Sequence, residues 1–341
     1  MYKRVISLSL CILMVISTML CLCSCKGQSG NEYPVTLGNT TINEEPLNIV
    51  VLSDCMADII SYMRYDVKMV GRSIETDQEF LSVVPIVGTA KDPNVDSIIS
   101  YETDLVIAEE TISEKAKTAL SEASIPVLTL KKATTTAELE KLYLNLGTAL
   151  GGNVTGKAKG KESYDALFKT LNDYNDAIPN DVIKTACYLY MDKNGILCTL
   201  TKGSIEFDIF SYCGATNIFS EQTVLPVNLE ELKIGTPSFI FYDNEAVMDK
   251  LKEDPEIAQM SAIKEGNTLM IDKKFFDRQG VTYEETLFEM IEFMFIEKNA
   301  TPDEATKSEA ETTPQSSAKT QSATQSTTQA STQANTVGYV E

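Results

Sequence analysis

Few residues in this chain could carry familiar chemistry, and the missing types narrow the choice most. The sequence holds no histidine and no tryptophan. Without imidazole there is no Ser-His-Asp or Cys-His nucleophile, no HExxH zinc site and no His-ligated haem or metal centre. Without indole the strongest aromatic platform for a sugar or planar ligand is gone. One run has the spacing of a phosphate-binding loop, Gly151-Gly-Asn-Val-Thr-Gly156-Lys157, but Ala158 stands where Ser or Thr would hold magnesium. That run also follows a helical stretch, Ala137 to Leu150, rather than a strand, so glycines closing a helix are the better reading. Only a carboxylate site of the glycosidase kind would survive these absences, and we read the chain as non-enzymatic with no cofactor of its own and no metal ligands.

Cysteine chemistry is concentrated at the start. Lys3 and Arg4 precede a nearly charge-free apolar run from Val5 to Leu22, the pattern of a secretory signal rather than a folded element. Leu22-Cys-Ser-Cys25 has the form of a bacterial lipobox, in which cleavage precedes the cysteine that then carries the lipid. Residues 1–24 are therefore read as a lipoprotein signal peptide and Cys25 as the acylated residue. Four thiols then remain: Cys55, Cys187, Cys198 and Cys213. Outside the cytoplasm they could pair or stay as buried apolar thiols, and no CxxC spacing suggests a redox or zinc site.

The 341 residues carry 29 Lys and Arg against 49 Asp and Glu, a formal charge of −20. A nucleic-acid partner is excluded, because a phosphate backbone demands a basic face. The length suffices for two domains with proper cores. Short apolar runs, Leu47 to Leu52, Asp104 to Ala108 and Pro126 to Leu130, alternate with a helical pattern at Ser113 to Ala123. That alternation predicts a parallel sheet covered by helices, with Ser53-Asp54 read as a loop after the first strand. A second set of strands follows at Thr185 to Tyr190, Ile196 to Leu200, Ser238 to Tyr242 and Thr268 to Ile271. Asp192-Lys-Asn-Gly195 makes a hairpin of the first two. Between the sets, Tyr164, Leu167, Phe168, Leu171 and Tyr174 form one apolar stripe at helical spacing, so a single helix from about Lys157 to Ala177 joins two α/β lobes. Thr282-x-x-Glu285 reads as a capping box opening the last helix, Tyr283 to Phe295. The predicted fold is thus two Rossmann-like α/β lobes joined by one long helix. Its parts are a lipid-anchored linker over 25–46, an N-terminal lobe over 47–152, a connecting helix over 153–180 and a C-terminal lobe over 181–299. Residues 300–341, rich in Ser, Thr and Gln, are expected to be a disordered tail.

The order of these features resembles one family. Tyr65-Asp-Val-Lys-Met-Val-Gly-Arg-Ser73, Pro85-Ile-Val-Gly88, Asp92-Pro-Asn-Val-Asp-Ser-Ile98, Thr103-Asp-Leu-Val-Ile-Ala108 and Ala123-Ser-Ile-Pro-Val127 are similar to the N-terminal lobe of the cobalamin-, haem- and ferric-siderophore-binding proteins of ATP-binding-cassette importers. Cys213-Gly-Ala-Thr-Asn-Ile-Phe219, Val227-Asn-Leu-Glu-Glu-Leu232, Ser238-Phe-Ile-Phe-Tyr242 and Ala262-Ile-Lys-Glu-Gly266 are similar to its second lobe. The resemblance implies a ligand held between the lobes with small hinge motion, and delivery to a permease and its ATPase. It places the permease-docking acids at Asp96, where the family more often has Glu, and at Glu230.

Ligand contacts are expected from loops at the carboxyl ends of strands. In the first lobe these are Ser53, Asp54, Arg72, Thr89, Lys91, Glu109 and Glu110. In the second they are Lys202, Ser204, Phe207, Tyr242, Asp243, Phe276 and Arg278. Arg72 and Arg278 suit anionic groups through bidentate, charge-assisted contacts. A ligand that arrives already chelated needs no protein metal ligands, so a ferric siderophore leads over haem or a corrinoid. The location implied is the extracytoplasmic face of a bacterial cell membrane. The alternative is a surface interaction or sensor protein on the same two-lobe fold, without a transport role. Because a Ser/Thr/Gln tail buries nothing, deleting residues 305–341 should leave the melting temperature of the remaining protein within a few degrees, as calorimetry would show.

Overall fold

The computed structural model describes residues 32–179, 183–224 and 226–295. The signal peptide, Cys25 and the tail over 300–341 lie outside the described residues. The segment read as a linker is folded from Glu32 onward: strands β1 (Val35–Leu37) and β2 (Thr40–Ile42) form a small antiparallel hairpin, with Val35 and Ile42 buried.

The first lobe is a four-stranded parallel sheet in the order β4-β3-β5-β6, made of β3 (Ile49–Leu52), β4 (Met69–Arg72), β5 (Leu105–Ala108) and β6 (Val127–Thr129). Every residue of β3 and β5 is buried, as a parallel strand covered on both faces requires. Helices α1 (Asp54–Tyr62), α2 (Val95–Ser100) and α3 (Glu114–Glu122) connect the strands. The residues after β3, expected to be a loop, start α1 directly. Ser53 is its N-cap, its Oγ accepting from the Met56 N–H at 3.1 Å.

The chain then turns through α4 (Thr136–Gly151) and α5 (Lys157–Asp176), joined by the π-turn Gly152–Gly156. The connecting helix falls where its apolar stripe placed it. The glycines of the phosphate-loop look-alike have a packing reason. Gly152 leaves α4 at φ +91, and the two helices touch backbone to backbone. A Cβ at Gly156 would collide with the Gly147 carbonyl oxygen, and one at Gly160, a turn further on, with that of Tyr143.

In the second lobe, β7 (Thr185–Met191) lies parallel to β10 (Phe239–Tyr242), which lies parallel to β11 (Thr268–Met270). On its other side β7 pairs first with the short parallel strand β9 (Thr216–Asn217) and then, in the expected hairpin, with antiparallel β8 (Leu197–Thr199). Asp192 closes that turn by accepting from the N–H groups of Asn194 and Ile196 at 2.8 Å. Helices α6 (Ile205–Ser211), α7 (Leu229–Gly235), α8 (Glu245–Lys252), α9 (Ser261–Lys264), α10 (Lys274–Asp277) and α11 (Val281–Phe295) complete the lobe. Among the described residues Cys55, Cys187, Cys198 and Cys213 are all buried and unbridged.

Strand alternation sorts the apolar side chains into three clusters. Ile49, Val51, Leu105 and Ile107 point to one face of the first sheet, and Tyr188, Phe239 and Phe241 to one face of the second. These two faces belong to a single cluster that also takes in Leu139, Leu146, Leu167 and Leu171 of the helical hairpin. The opposite faces form separate clusters, around Val50 and Val106 in one lobe and around Leu189 and Ile240 in the other.

One buried carboxylate ties the lobes together. Asp58, fully buried in α1, accepts from the Gly280 N–H at 2.7 Å, the Thr282 N–H at 3.2 Å and the Thr282 hydroxyl at 2.7 Å. The last helix therefore starts at Val281, and Thr282 donates to Asp58 across the lobe boundary instead of opening a capping box. Burial pushes the Asp58 carboxyl up to about 6, against the pull of its three hydrogen bonds.

Two outcomes follow. Gly160→Ala should cost about 2–4 kcal/mol by urea denaturation, since backbone on the facing helix has to move. For Asp58, the folded value lies above the unfolded one, so the native state holds the extra proton between about pH 4 and pH 6. Its contribution is greatest on the acid side and is lost as pH rises through about 6. Compared with Asp58→Asn, the wild type should lose on the order of 2–3 kcal/mol of unfolding free energy between pH 4 and pH 7, measured by denaturation at both pH values.

Candidate functional site

The loops at the carboxyl ends of the parallel strands of both sheets meet. Ser53 and Asp54 follow β3, Asp77 lies in the loop after β4, Glu109 follows β5 and Lys132 follows β6. Across from them, β11 leads into Lys273, Lys274, Asp277 and Arg278. Arg278, 4% exposed, donates from Nε to Asp54 Oδ2 at 2.7 Å and from its terminal nitrogen to Asp77 Oδ1. Lys274 Nζ donates to Asp77 Oδ2 at 2.7 Å, and Lys132 Nζ to Asp277 Oδ1 at 2.5 Å. Main-chain contacts run beside these ion pairs. Gln279 exchanges two hydrogen bonds with the Ala133 backbone, at 3.0 and 2.7 Å, and Ile205 N–H donates to the Thr134 carbonyl at 3.0 Å.

The electrostatics of this strip are uneven. Burial pushes the Asp54 carboxyl up even though Arg278 opposes it, and its Oδ1 is buried without a protein partner. Burial acts upward on Asp77 too, but donation from Lys274 and Arg278 outweighs it and holds that carboxyl below its usual range. Lys132 is raised: burial lowers it, and Asp277 more than compensates. An open cavity of about 580 Å³ adjoins the strip, lined by Asp77, Gln78, Phe80, Lys274, Phe275 and Arg278 among others.

Of the residues singled out from the sequence, Ser53, Asp54, Glu109 and Arg278 are brought together here, and Ser53 Oγ donates to Glu109 Oε2 at 2.9 Å. Glu110, Thr89 and Lys91 are exposed on the neighbouring loops of the first lobe. Thr89 Oγ1 accepts from Asp92 N–H at 3.0 Å, and the Lys91 carbonyl from Ser113 N–H at 2.7 Å. In the second lobe Ser204 caps α6, accepting from the Phe207 N–H at 3.2 Å, while Phe207 is half-buried in the first turn. Lys202 is exposed and pairs with Glu221 at 2.8 Å; Asp243 accepts from the Lys273 N–H at 2.7 Å.

Three expected contacts are interior instead. Arg72 is buried, and its guanidinium is spent on main-chain carbonyls, from Nε to Leu81 and Val84 at 3.0 Å and from a terminal nitrogen to Thr76. It organises the loop that carries Asp77. Phe276 is 2% exposed and packs edge-on against Tyr188 with ring centroids 4.8 Å apart. Tyr242 belongs to the outer core of the second lobe. Arg72 and Tyr242 end their strands and Phe276 lies in α10 just beyond β11, so the sequence positions are near the loops but the side chains are buried. Conversely, Asp77, Lys132, Lys274 and Asp277 went unnoticed. Lys131-Lys132 after Leu130 and Lys273-Lys274 after Ile271-Asp272 are lysine doublets just past strands β6 and β11, a signal that could have found two of them.

The expected docking acids occupy equivalent places. Asp96 and Glu230 stand in the first turns of α2 and α7, each two residues after an Asn whose side chain caps the helix. Asp96 is exposed; Glu230 is largely exposed and pairs with Lys233 at 3.0 Å.

Comparison with known proteins gives this geometry a context. The model of the periplasmic binding protein family matches residues 49–275. The chain is 25% identical over 273 residues to the Fe(3+)-citrate-binding protein YfmC of Bacillus subtilis (strain 168), an alignment covering 73% of this chain and 81% of that one. It is 24% identical over 280 residues, 79% of this chain and 88% of the relative, to YvrC of the same organism, an uncharacterized ABC transporter substrate-binding lipoprotein. A periplasmic heme binding protein from Pseudomonas aeruginosa shares the fold, with a TM-score of 0.57 at 17% identity, covering 73% of this chain and 93% of that structure. Two α/β lobes bridged by a helical hairpin, with strand-end loops facing each other and a family match over both lobes, identify the chain as a member of the periplasmic binding protein family, with a solute-binding role.

Proposed function

We propose that this protein is a lipid-anchored receptor of an ABC importer, capturing an anionic metal chelate between its lobes and delivering it to a permease. The observation that carries the ligand class is the strip of cations at the lobe junction. In a chain of charge −20, Lys132, Lys274 and Arg278 converge where the strand-end loops of both sheets meet. The relative named for ferric citrate supports the same class. Here Asp54, Asp77 and Asp277 hold the cations in place, and an anionic ligand would exchange with the exposed carboxylates for them. Ser53, Glu109, Glu110, Thr89 and Lys91 on one side, with Lys202, Ser204, Phe207 and Asp243 on the other, are the remaining proposed contacts or their supports. The ligand brings its own metal, in keeping with the absence of histidine.

Anchoring through Cys25 and docking through Asp96 and Glu230 complete the proposal. Both acids lie outside the ion-pair strip, so a permease can engage them while the ligand is held.

Calorimetry with ferric citrate, a ferric hydroxamate, haem and cobalamin tests the ligand class. An iron chelate should bind, and Lys274→Ala should weaken it about ten-fold, the worth of one charge-assisted contact. Failure of every chelate to bind would overturn the reading. In cells, Asp96→Lys with Glu230→Lys should impair uptake while leaving ligand affinity intact, because reversal adds like-charge repulsion to a lost pair. Unchanged uptake in that double variant would defeat the docking assignment.

A further inference from the structure

Two acceptors in the ion-pair strip, Asp54 Oδ1 and Gln78 Oε1, are enclosed with no donor among the described residues. They belong to residues already in contact, since Gln78 Nε2 donates to the Asp54 main-chain carbonyl at 3.2 Å. That bond fixes the amide: turned over, it would set oxygen against oxygen. Gln78 is only 4% exposed, so its other oxygen cannot turn to solvent for a partner. A buried acceptor without a donor is destabilising, and here two touching residues each carry one.

The surroundings decide which carboxylate can change its charge. Arg278 and Lys274 face Asp54 from the second lobe, and Asp77 and Gln78 face it from the loop after β4. Glu109 approaches through Ser53 from the loop after β5, with Lys132 beyond it. Cys55 and Asp58 are its neighbours on α1 itself. Beside Asp54, then, two cations meet two carboxylates, Asp54 and Asp77, and their charges balance. An anionic ligand drawn to Lys274 and Arg278 leaves surplus negative charge in a poorly screened place. Asp77 is half exposed and held by both cations, so it stays ionised. Asp54 is the weaker acid, because burial pushes its carboxyl up against the pull of Arg278.

We propose that Asp54 takes up one proton from solvent when an anionic ligand binds, carrying it on Oδ1 and donating it to Gln78 Oε1. The proton offsets a charge that the ligand brings, and one new bond satisfies both enclosed oxygens. Capture is thereby coupled to pH. The bound state holds more protons than the free one, so affinity falls as pH rises. The inference rests on the anionic-ligand reading above.

The probe is ferric citrate, titrated calorimetrically near neutral pH in two buffers of different ionisation enthalpy. Wild type should take up about one proton more per ligand than Asp54→Asn, a comparison that removes protons exchanged by the chelate itself. The asparagine brings its own N–H donor and stands for the protonated acid, so Asp54→Asn should bind about ten-fold more tightly. Its affinity should also stay level with pH where that of the wild type falls. Gln78→Leu leaves Asp54 intact but removes the acceptor, and should cut the proton uptake to less than about half. Infrared difference spectra should show a protonated-carboxyl band on binding in wild type and none in Asp54→Asn. Equal proton uptake in wild type and Asp54→Asn, or weaker binding by Asp54→Asn, would overturn the coupling and leave the ligand class standing. Ferric citrate that binds none of the three proteins would instead overturn the anionic-ligand reading, and the coupling with it.

Discussion

The shared apolar core between the lobes, pinned by Asp58, is the constraint on which the rest of the structure depends. Inner faces of both sheets and the buried stripes of α4 and α5 belong to one cluster, and α11 crosses back to α1 through three hydrogen bonds onto a single buried carboxylate. Close-packed interiors do not shear gradually; they switch between discrete arrangements or stay put. A wide opening of the lobes would have to expose aromatic side chains such as Phe241 and Tyr188 and strand Asp58 without its donors, at a desolvation cost of several kcal/mol. Ligand exchange is therefore a matter for the loops and ion pairs at the strand ends, where exposed groups can trade partners cheaply.

Charge follows the same division. Most of the lysines in ion pairs sit on the surface, such as Lys169 with Asp173 or Lys250 with Glu253, where solvent leaves each pair worth little. Arg278 is different. It is almost wholly enclosed, so the attraction to Asp54 and Asp77 is screened less and the loss of either partner would matter more. The acidic surplus of the chain makes this enclosed cation the local exception. It also explains why a carboxylate as exposed as Asp77 can hold two cations at once and remain ionised.

Much of this was legible in the sequence, and the failures have physical causes. Strands β3, β5, β10 and β11 are apolar runs bounded by polar turns, and α5 shows its stripe at 3.6-residue spacing. Strand β4 escaped because Met-Val-Gly-Arg offers little β-branched signal and ends in a residue that looks like a surface cation. Arg72 is interior, its Nε and one terminal nitrogen donating to carbonyls of the loop it folds, a fact of tertiary structure that no local pattern carries. The same holds for Thr282. A capping box is a local signal, but here a carboxylate 224 residues away in sequence takes the hydroxyl. Glu32 sits in a stretch that reads as a polar tether, yet its carboxylate accepts from the Val154 N–H and the Thr155 hydroxyl in the turn between α4 and α5.

The two lobes repeat one small device. In the first, Gly88 pairs with Pro93 across a bridge, then Asn94 caps α2 and Asp96 follows in its first turn; in the second, Cys198 pairs with Pro226, then Asn228 caps α7 and Glu230 follows. The asparagine fixes the start of the helix, so the acid is held by backbone geometry and not by a side-chain partner. Its charge is also favoured where it stands, near the positive end of the helix. Glu230 does have a partner in Lys233, but that ammonium is shared with Asp254 at 2.9 Å and Glu256 at 3.1 Å. A cation approaching from outside can draw Glu230 away without leaving Lys233 unpaired, so the exchange carries little desolvation penalty. On each lobe, then, the start of a helix and the availability of a surface acid come from the same short run, so a helix-opening role and the proposed docking role at these positions would not compete.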